Sequence, residues 1–572
     1  MFDPVSEAAQ SLLDQTAQGR LSRRGFLRLA AAAGVAHCLD PLQVADAFAA
    51  GDAQNRNRRS GRSSYDYIVV GAGAAGCIIA SKLARSGAEV LLLEAGGTDA
   101  LPQVTNPSVW FTNVGGPLDW NFKAAPSPDV DGRSIPVAMG RVLGGGTSIN
   151  AMLWVRGLAQ DFDDWAYNGC DGWSFREVLP HFKALEDWEG GANEWRGVGG
   201  PVHICTASKP HPTARAFLGG CHELGIPILA DVNGPMREGA GYVNMSIARD
   251  GSRASASRAF LRPNLDRPNL TLSLQTQAAQ LQFSQTRCTG VRLRDADGMR
   301  DVSASREVIL TAGGIASAKL LMLSGIGDAT SLRKVGIAPL LHSPGVGQNF
   351  QDHPLLFGVV FQYKGTMPPR SATSNAVEAA AYVRSDSGKE GPNIKMVLMQ
   401  LPVLTPEVAA HFPKPPPDSF TLSPALVRPS SRGVLRLASA NWQDSALLEA
   451  GFLSTDADLA ATVRCLEMCR ELGHRSSYDG IRAAELVPGR KLTLAECQDF
   501  ARRATISFGH PVGTCKMGTD ALAVVDPQLR VHGVRGLRVC DSSIMPRIIT
   551  GPTNAATQMI ASKAAQMILA ES

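Results

Sequence analysis

Two glycine clusters in this chain are spaced for binding chemistry. The first, Gly71-Ala-Gly73-Ala-Ala-Gly76, follows the apolar run Ile68-Val-Val and precedes Glu94 by eighteen residues counted from Gly76. Read as strand, tight turn and helix, it uses Gly71 for the turn, Gly73 to admit a pyrophosphate against the backbone, and Gly76 to bring helix and sheet together. The bare helix N-terminus offers N–H donors and a positive dipole to phosphates. Glu94 ends a second strand, Leu91-Leu-Leu, where a carboxylate accepts hydrogen bonds from a ribose. These residues specify a dinucleotide site but not which dinucleotide. The second cluster, Gly144-Gly145-Gly146 with Asn150, supplies glycines where backbone must press against a bulky planar ring, plus one polar contact.

The elements that position these residues are spread along a long chain. At 572 residues two structural domains are expected. A net charge of +4 with 19% charged residues, and no basic block in the globular part, argues against nucleic acid as a partner. Eleven cysteines without C-x-x-C spacing give neither a disulfide scaffold nor a haem attachment site, and Cys465 and Cys469 read as core residues of a helix over 456–472. No metal-ligand spacing stands out, so no metal is expected. Strands are expected at 269–274 and 290–294. The run Glu307-Val-Ile-Leu-Thr-Ala-Gly-Gly314 repeats strand, glycine turn and helix, which returns the chain to the nucleotide sheet.

The first fifty residues differ from the rest. Ser22-Arg23-Arg24-Gly25-Phe26-Leu27, a short apolar stretch and Ala47-Phe48-Ala49 resemble a bacterial twin-arginine export signal, which implies the export machinery as a partner and a periplasmic location. A polar linker over 51–64 follows, and the folded enzyme is expected to begin near Tyr65.

Two further stretches join the glycine clusters. They are Thr311-Ala-Gly-Gly through Gly327, and Ser507-Phe-Gly-His510 through Asp541 to Gly551-Pro-Thr-Asn554-Ala-Ala-Thr557. In order and over nearly the whole chain from Tyr65, the set resembles the glucose-methanol-choline (GMC) family of FAD-dependent oxidoreductases, choline dehydrogenase-like in pattern. The resemblance implies an α/β fold: a Rossmann-like FAD-binding domain over 65–205, 246–355 and 507–572, and a discontinuous α+β substrate-binding domain over 206–245 and 356–506.

The family's roles transfer by position. Gly71, Gly73, Gly76 and Glu94 match the ADP-binding part, while Arg141, Gly144, Gly145, Asn150 and Met152 fall on the loop lying against the flavin. Ala279 falls where backbone holds adenine, Asp541 near the pyrophosphate, and Asn554 and Thr557 at the helix facing the flavin pyrimidine edge. Some members bind FAD covalently through a histidine of the glycine loop. Here that position is Ile149, so FAD is expected to be non-covalent.

The implied reaction oxidises an alcohol to an aldehyde or ketone: a base takes the hydroxyl proton while hydride passes to flavin N5. His510 matches the family's catalytic histidine, and imidazole suits general-base work near neutrality. His353, in Gln351-Asp-His-Pro354, reads as structural. The family's second catalytic position, a histidine or asparagine, falls on Pro552, which has neither a side-chain donor nor an N–H. A pyridoxine 4-oxidase-like subclass with proline here, and a shifted alignment offering Thr553, both stay open. So do the alcohol itself, the electron acceptor (quinone, cytochrome or oxygen), and a lyase of the same fold that keeps FAD without redox chemistry.

Overall fold

The computed structural model describes residues 62–235 and 238–571. The expected export signal, and the linker up to residue 61, lie outside the described residues. Ser64–Val70 is flanked by Val90–Leu93 and then Leu270–Ser273 on one side and by Gly298–Leu310 on the other, all parallel. Val90–Leu93 is buried at every position. Continuous apolar runs of this kind belong to a parallel sheet covered on both faces, where alternation has no solvent side to serve.

Gly298–Leu310, 13 residues long, changes partner along one edge. Residues 298–303 pair antiparallel with Arg287–Asp295, whereas 308–310 pair parallel with Leu537–Val539. The chain thus returns to the nucleotide sheet from two distant points. Helix Gly76–Arg85 leaves the first glycine turn and Gly313–Leu323 the second. Helix Asn554–Ala570 packs on Gly76–Arg85 and on Phe175–Leu185.

The second large sheet is antiparallel, in the order Arg482–Val487, Val360–Tyr363, Ser419–Leu426, Ile394–Met399, Ala379–Val383, Gly239–Tyr242. Pro354–Leu356 and Thr505–Ser507, at the two expected domain crossings, pair with each other, and Pro354–Leu356 also pairs with Ser419–Leu426. Helix Asp456–Gly473 covers one face, burying Cys465, Leu466 and Cys469 against Phe361, Phe420 and Leu422. The opposite face, with Tyr382, Val397, Met399 and Ala425, packs on Met152, Leu153, Val155 and Met245. That face looks toward the first domain.

One segment differs from the sequence-based division. Strands Val434–Arg436 and Leu447–Glu449 form a separate pair whose Leu435, Leu437, Leu448 and Phe452 belong to the first core. Residues 434–452, expected in the substrate domain, pack with the nucleotide domain instead. Lys319 Nζ, on helix Gly313–Leu323, donates to the Trp442 carbonyl at 2.7 Å and pins the segment there.

Candidate active site

A single cavity runs from Gly71, Gly73 and Glu94, past Gly145, Asn150 and Asp541, to His510, Pro552, Asn554 and Thr557. At the turn, a Cβ on Gly76 would lie 1.9 Å from the Gly71 carbonyl oxygen, so only glycine allows the helix this close. Gly73 has nothing nearer than the Gly145 Cα at 3.8 Å, which leaves its cavity side clear. Helices Gly76–Arg85 and Asn554–Ala570 both start without a side-chain cap and without an acid in the first turn. Their N–H groups and positive dipole ends therefore remain available to an anionic or electron-rich ligand. An extended dinucleotide fits these features.

Two buried acids brace the glycine turns. Glu94 accepts from the N–H of Ala72 (3.0 Å) and of Gly96 (2.7 Å). Burial pushes its carboxyl up to about 7 against those two hydrogen bonds and the Arg141 charge. Asp541 accepts from Gly313 N–H (2.8 Å) and Ser317 Oγ (2.6 Å), joining the far end of the chain to the second glycine turn. Burial raises its carboxyl as well.

The loop opposite the glycine turn is fixed from behind by Arg253. This residue is 2% exposed and, among the described residues, bonds to no carboxylate. Its Nη1 donates to the carbonyls of Thr147 and Asn150 and to Asn150 Oδ1. The same Oδ1 accepts from Met152 N–H at 3.0 Å. With its oxygen engaged twice, the Asn150 side chain turns its NH₂ donor toward the cavity it lines. Gly145, with φ 53°, sits so close to Gly73 that an added Cβ would meet the Gly73 Cα at 2.8 Å.

The far end holds the acid–base groups. His510 Nδ1 lies 2.9 Å from His353 Nδ1, with the ring planes at 86°. Only one of these nitrogens can carry the shared proton. Asp352 orients both residues through their backbones: Oδ1 accepts the N–H of His353 (2.7 Å) and of His510 (2.9 Å), and Oδ2 accepts from Ser507 Oγ. Phe508 stacks on the His510 ring at 4.7 Å. Burial, then the neighbouring His353 and Lys395, hold the His510 imidazole well below its usual range; His353 is drawn down to about 3, mainly by burial. Both rings are therefore neutral near pH 7.

The Pro552 loop is held by Asp161, which accepts from Leu158 N–H (2.8 Å), Thr550 N–H (2.6 Å) and Thr550 Oγ1 (2.9 Å). Thr553 lines the cavity beside Pro552.

Of the residues singled out from sequence, Gly71, Gly73, Glu94, Gly145, Asn150, His510, Asp541, Pro552, Asn554 and Thr557 meet on the cavity wall. Five stand behind it. Gly76 packs helix against turn, and Gly144 leaves room for Ser148 Oγ, which an added Cβ would meet at 2.3 Å. Arg141 is exposed, its guanidinium 4.9 Å above the Trp120 ring. Met152 is fully buried against the substrate sheet, and Ala279 is buried in its strand while Gln277 and Ala278 reach the wall. Sequence reading overlooked Asp161, Arg253, Asp352 and Lys395, and took His353 as structural. The lone lysine in Ile394-Lys-Met-Val-Leu-Met399 was the signal available for Lys395.

Comparison with known proteins places the chain. Models described as GMC oxidoreductase match residues 65–355 and 429–561. The chain is 36% identical over 532 residues to the oxygen-dependent choline dehydrogenase of Brucella suis biovar 1 (strain 1330), covering 88% of this chain and 95% of that protein. It is 37% identical over 546 residues to the mitochondrial choline dehydrogenase of Mus musculus, covering 89% and 90%. Pyridoxine 4-oxidase from Mesorbium loti superposes with a TM-score of 0.84 at 33% identity, covering 88% of this chain and 98% of that one. The chain belongs to the GMC oxidoreductase family, and it is an FAD-dependent enzyme that oxidises the CH–OH group of its donors.

Proposed function

We propose that His510 removes the hydroxyl proton of an alcohol held at the end of the cavity walled by Trp110, Leu153 and Phe508. The observation that carries this reading is the paired imidazoles. If His510 donates its Nδ1 proton to His353 Nδ1, its Nε2 lone pair is free toward the cavity, in the neutral form a base requires. FAD, when bound, takes the hydride that leaves the carbinol carbon. Gly71, Gly73, Glu94 and Asp541 would hold its ADP part, and Gly145, Asn150, Asn554 and Thr557 its ring end. Ile149 has no nucleophilic atom, which supports non-covalent binding.

Pro552 offers the substrate oxygen no hydrogen bond, so the substrate is oriented chiefly by His510 and by apolar packing. The carboxylates on the cavity wall, Glu94 and Asp541, are committed to the glycine turns. That wall suits an uncharged or aromatic alcohol, the acceptor being a quinone, a cytochrome or oxygen. The Ser22-Arg23-Arg24 stretch supports export of the loaded enzyme to the periplasm. The test is anaerobic reduction of bound flavin by an alcohol panel, in wild type and His510→Ala. Bleaching by an aromatic alcohol, slowed about 10²- to 10⁴-fold in the variant, is expected. A variant that keeps its FAD and reduces it at the wild-type rate defeats the assignment, and no bleaching by any alcohol points to the lyase.

A further inference from the structure

Lys395 is a buried cation on the face of the second sheet that looks toward the first domain, and the proposed reaction does not use it. Its side chain is 0% exposed, and its Nζ makes no hydrogen bond to any described residue. It stands on strand Ile394–Met399 in register with Tyr382 on one side and Ala425 on the other, on the face shared with Val397 and Met399. Its Nζ lies 5.1 Å from the Tyr382 ring and 5.3 Å from the Phe508 ring. Phe508 in turn stacks on His510. An ammonium sandwiched between two aromatic faces, with no carboxylate bonded to it among the described residues, is costly to bury, and its charge acts on its neighbours with little screening.

We propose that Lys395 is a positioning residue for the base: its buried ammonium, set against the Phe508 ring that stacks on His510, keeps the His353–His510 pair neutral. The proposal rests on reading His510 as the base.

The surroundings leave few alternatives for where charge can go. The groups facing Lys395 are Tyr382 from the adjacent strand and Phe508 from the loop after Thr505–Ser507, with His510 stacked on Phe508 and His353 bonded to His510, both within reach of its charge. Ala425 pairs with Lys395 on the other side, and the Cys465 thiol donates to the Lys395 carbonyl at 3.4 Å. Asp352, the acid that holds both histidines by their backbones, already accepts two N–H groups and the Ser507 hydroxyl. Burial sets Lys395 at about 7, above both imidazoles, and its charge lowers each of them. As pH falls, the proton goes to Lys395 first, and its charge then opposes the imidazolium that would silence the base. Without Lys395, that proton falls on the histidines.

The test is the pH dependence of kcat/KM in holoenzyme of wild type, Lys395→Met, Lys395→Gln and Lys395→Arg. Met and Gln keep most of the side-chain length but lose the charge. Both are expected to move the acid limb to higher pH by about one unit, while Arg leaves it in place. A role in packing alone would lower stability without moving the limb. A second readout avoids turnover: the pH at half-maximal carbethoxylation of His510 by diethyl pyrocarbonate, taken as the difference from each variant's His510→Ala counterpart. It should shift in the same direction. Should Met fail to bind FAD, Gln carries the comparison; should both fail, the carbethoxylation difference is read on Arg against wild type, and a shift there overturns the proposal. An unmoved limb and an unmoved carbethoxylation pH in a charge-free variant overturn it too. Wild-type activity of His510→Ala would instead sink the reading of the base.

Discussion

His353→Leu isolates the orienting hydrogen bond from the catalytic group. Leucine fills the space but accepts no proton from His510 Nδ1, whose partner now lies 2.9 Å away. A buried donor deprived of its acceptor costs about 1 to 3 kcal/mol. If that cost is met by rotation of His510 away from the substrate, kcat/KM falls roughly 5- to 150-fold. The measurement belongs at a pH well above both imidazole pKa values, so that only orientation differs between the proteins. His353→Asn places an amide oxygen close to the position of Nδ1 and should recover most of the rate, with KM changing less than kcat. Stopped-flow flavin reduction under anaerobic conditions reads the chemical step directly. A leucine variant that holds FAD and is reduced as fast as wild type would refute the shared-proton arrangement, and an asparagine variant no better than leucine would refute the role of the acceptor.

The same two rings predict acid sensitivity. An unfolded histidine takes a proton below about 6.5, whereas folded His353 refuses one down to about 3. Stability is therefore present above 6.5 and is lost as pH falls, at about 1.4 kcal/mol per pH unit for each histidine; urea midpoints at two acidic pH values should show a shallower loss in His353→Leu. Gly76→Ala drives a Cβ into the Gly71 carbonyl, and the protein should purify largely colourless, its flavin-to-protein absorbance ratio giving the result. Asp161→Asn leaves one accepting oxygen for three donors at the Pro552 loop. It should cost about 1 to 3 kcal/mol in denaturant unfolding and slow flavin reduction as Pro552 loses its place.

The glycine turns and Glu94 were legible as a local pattern, while Asp541, His510 and Pro552 came from the family resemblance, and all of them line the one cavity. What escaped was carried by contacts across the chain. Asp161 acts on Thr550, Arg253 on Asn150, and His353 on His510, so nothing near each residue announces its task. Lys395 sits in an apolar run that does not say which face of the strand it joins. Residues 434–452 escaped for a similar reason. Their apolar pattern says that they are buried but not against which sheet, and the Lys319–Trp442 contact that decides it spans distant segments.

The edge shared by Gly298–Leu310 and Leu537–Val539, with helix Asn554–Ala570 beyond it, ties cofactor capture to the progress of synthesis. A nascent chain that has reached residue 330 already owns both glycine turns. It still lacks Asp541 to brace the second, and Asn554 and Thr557 to wall the other end of the cavity. A ribosome-bound or truncated chain could therefore offer FAD only half a berth. Retained yellow colour in a purified chain would thus report that it runs past residue 557.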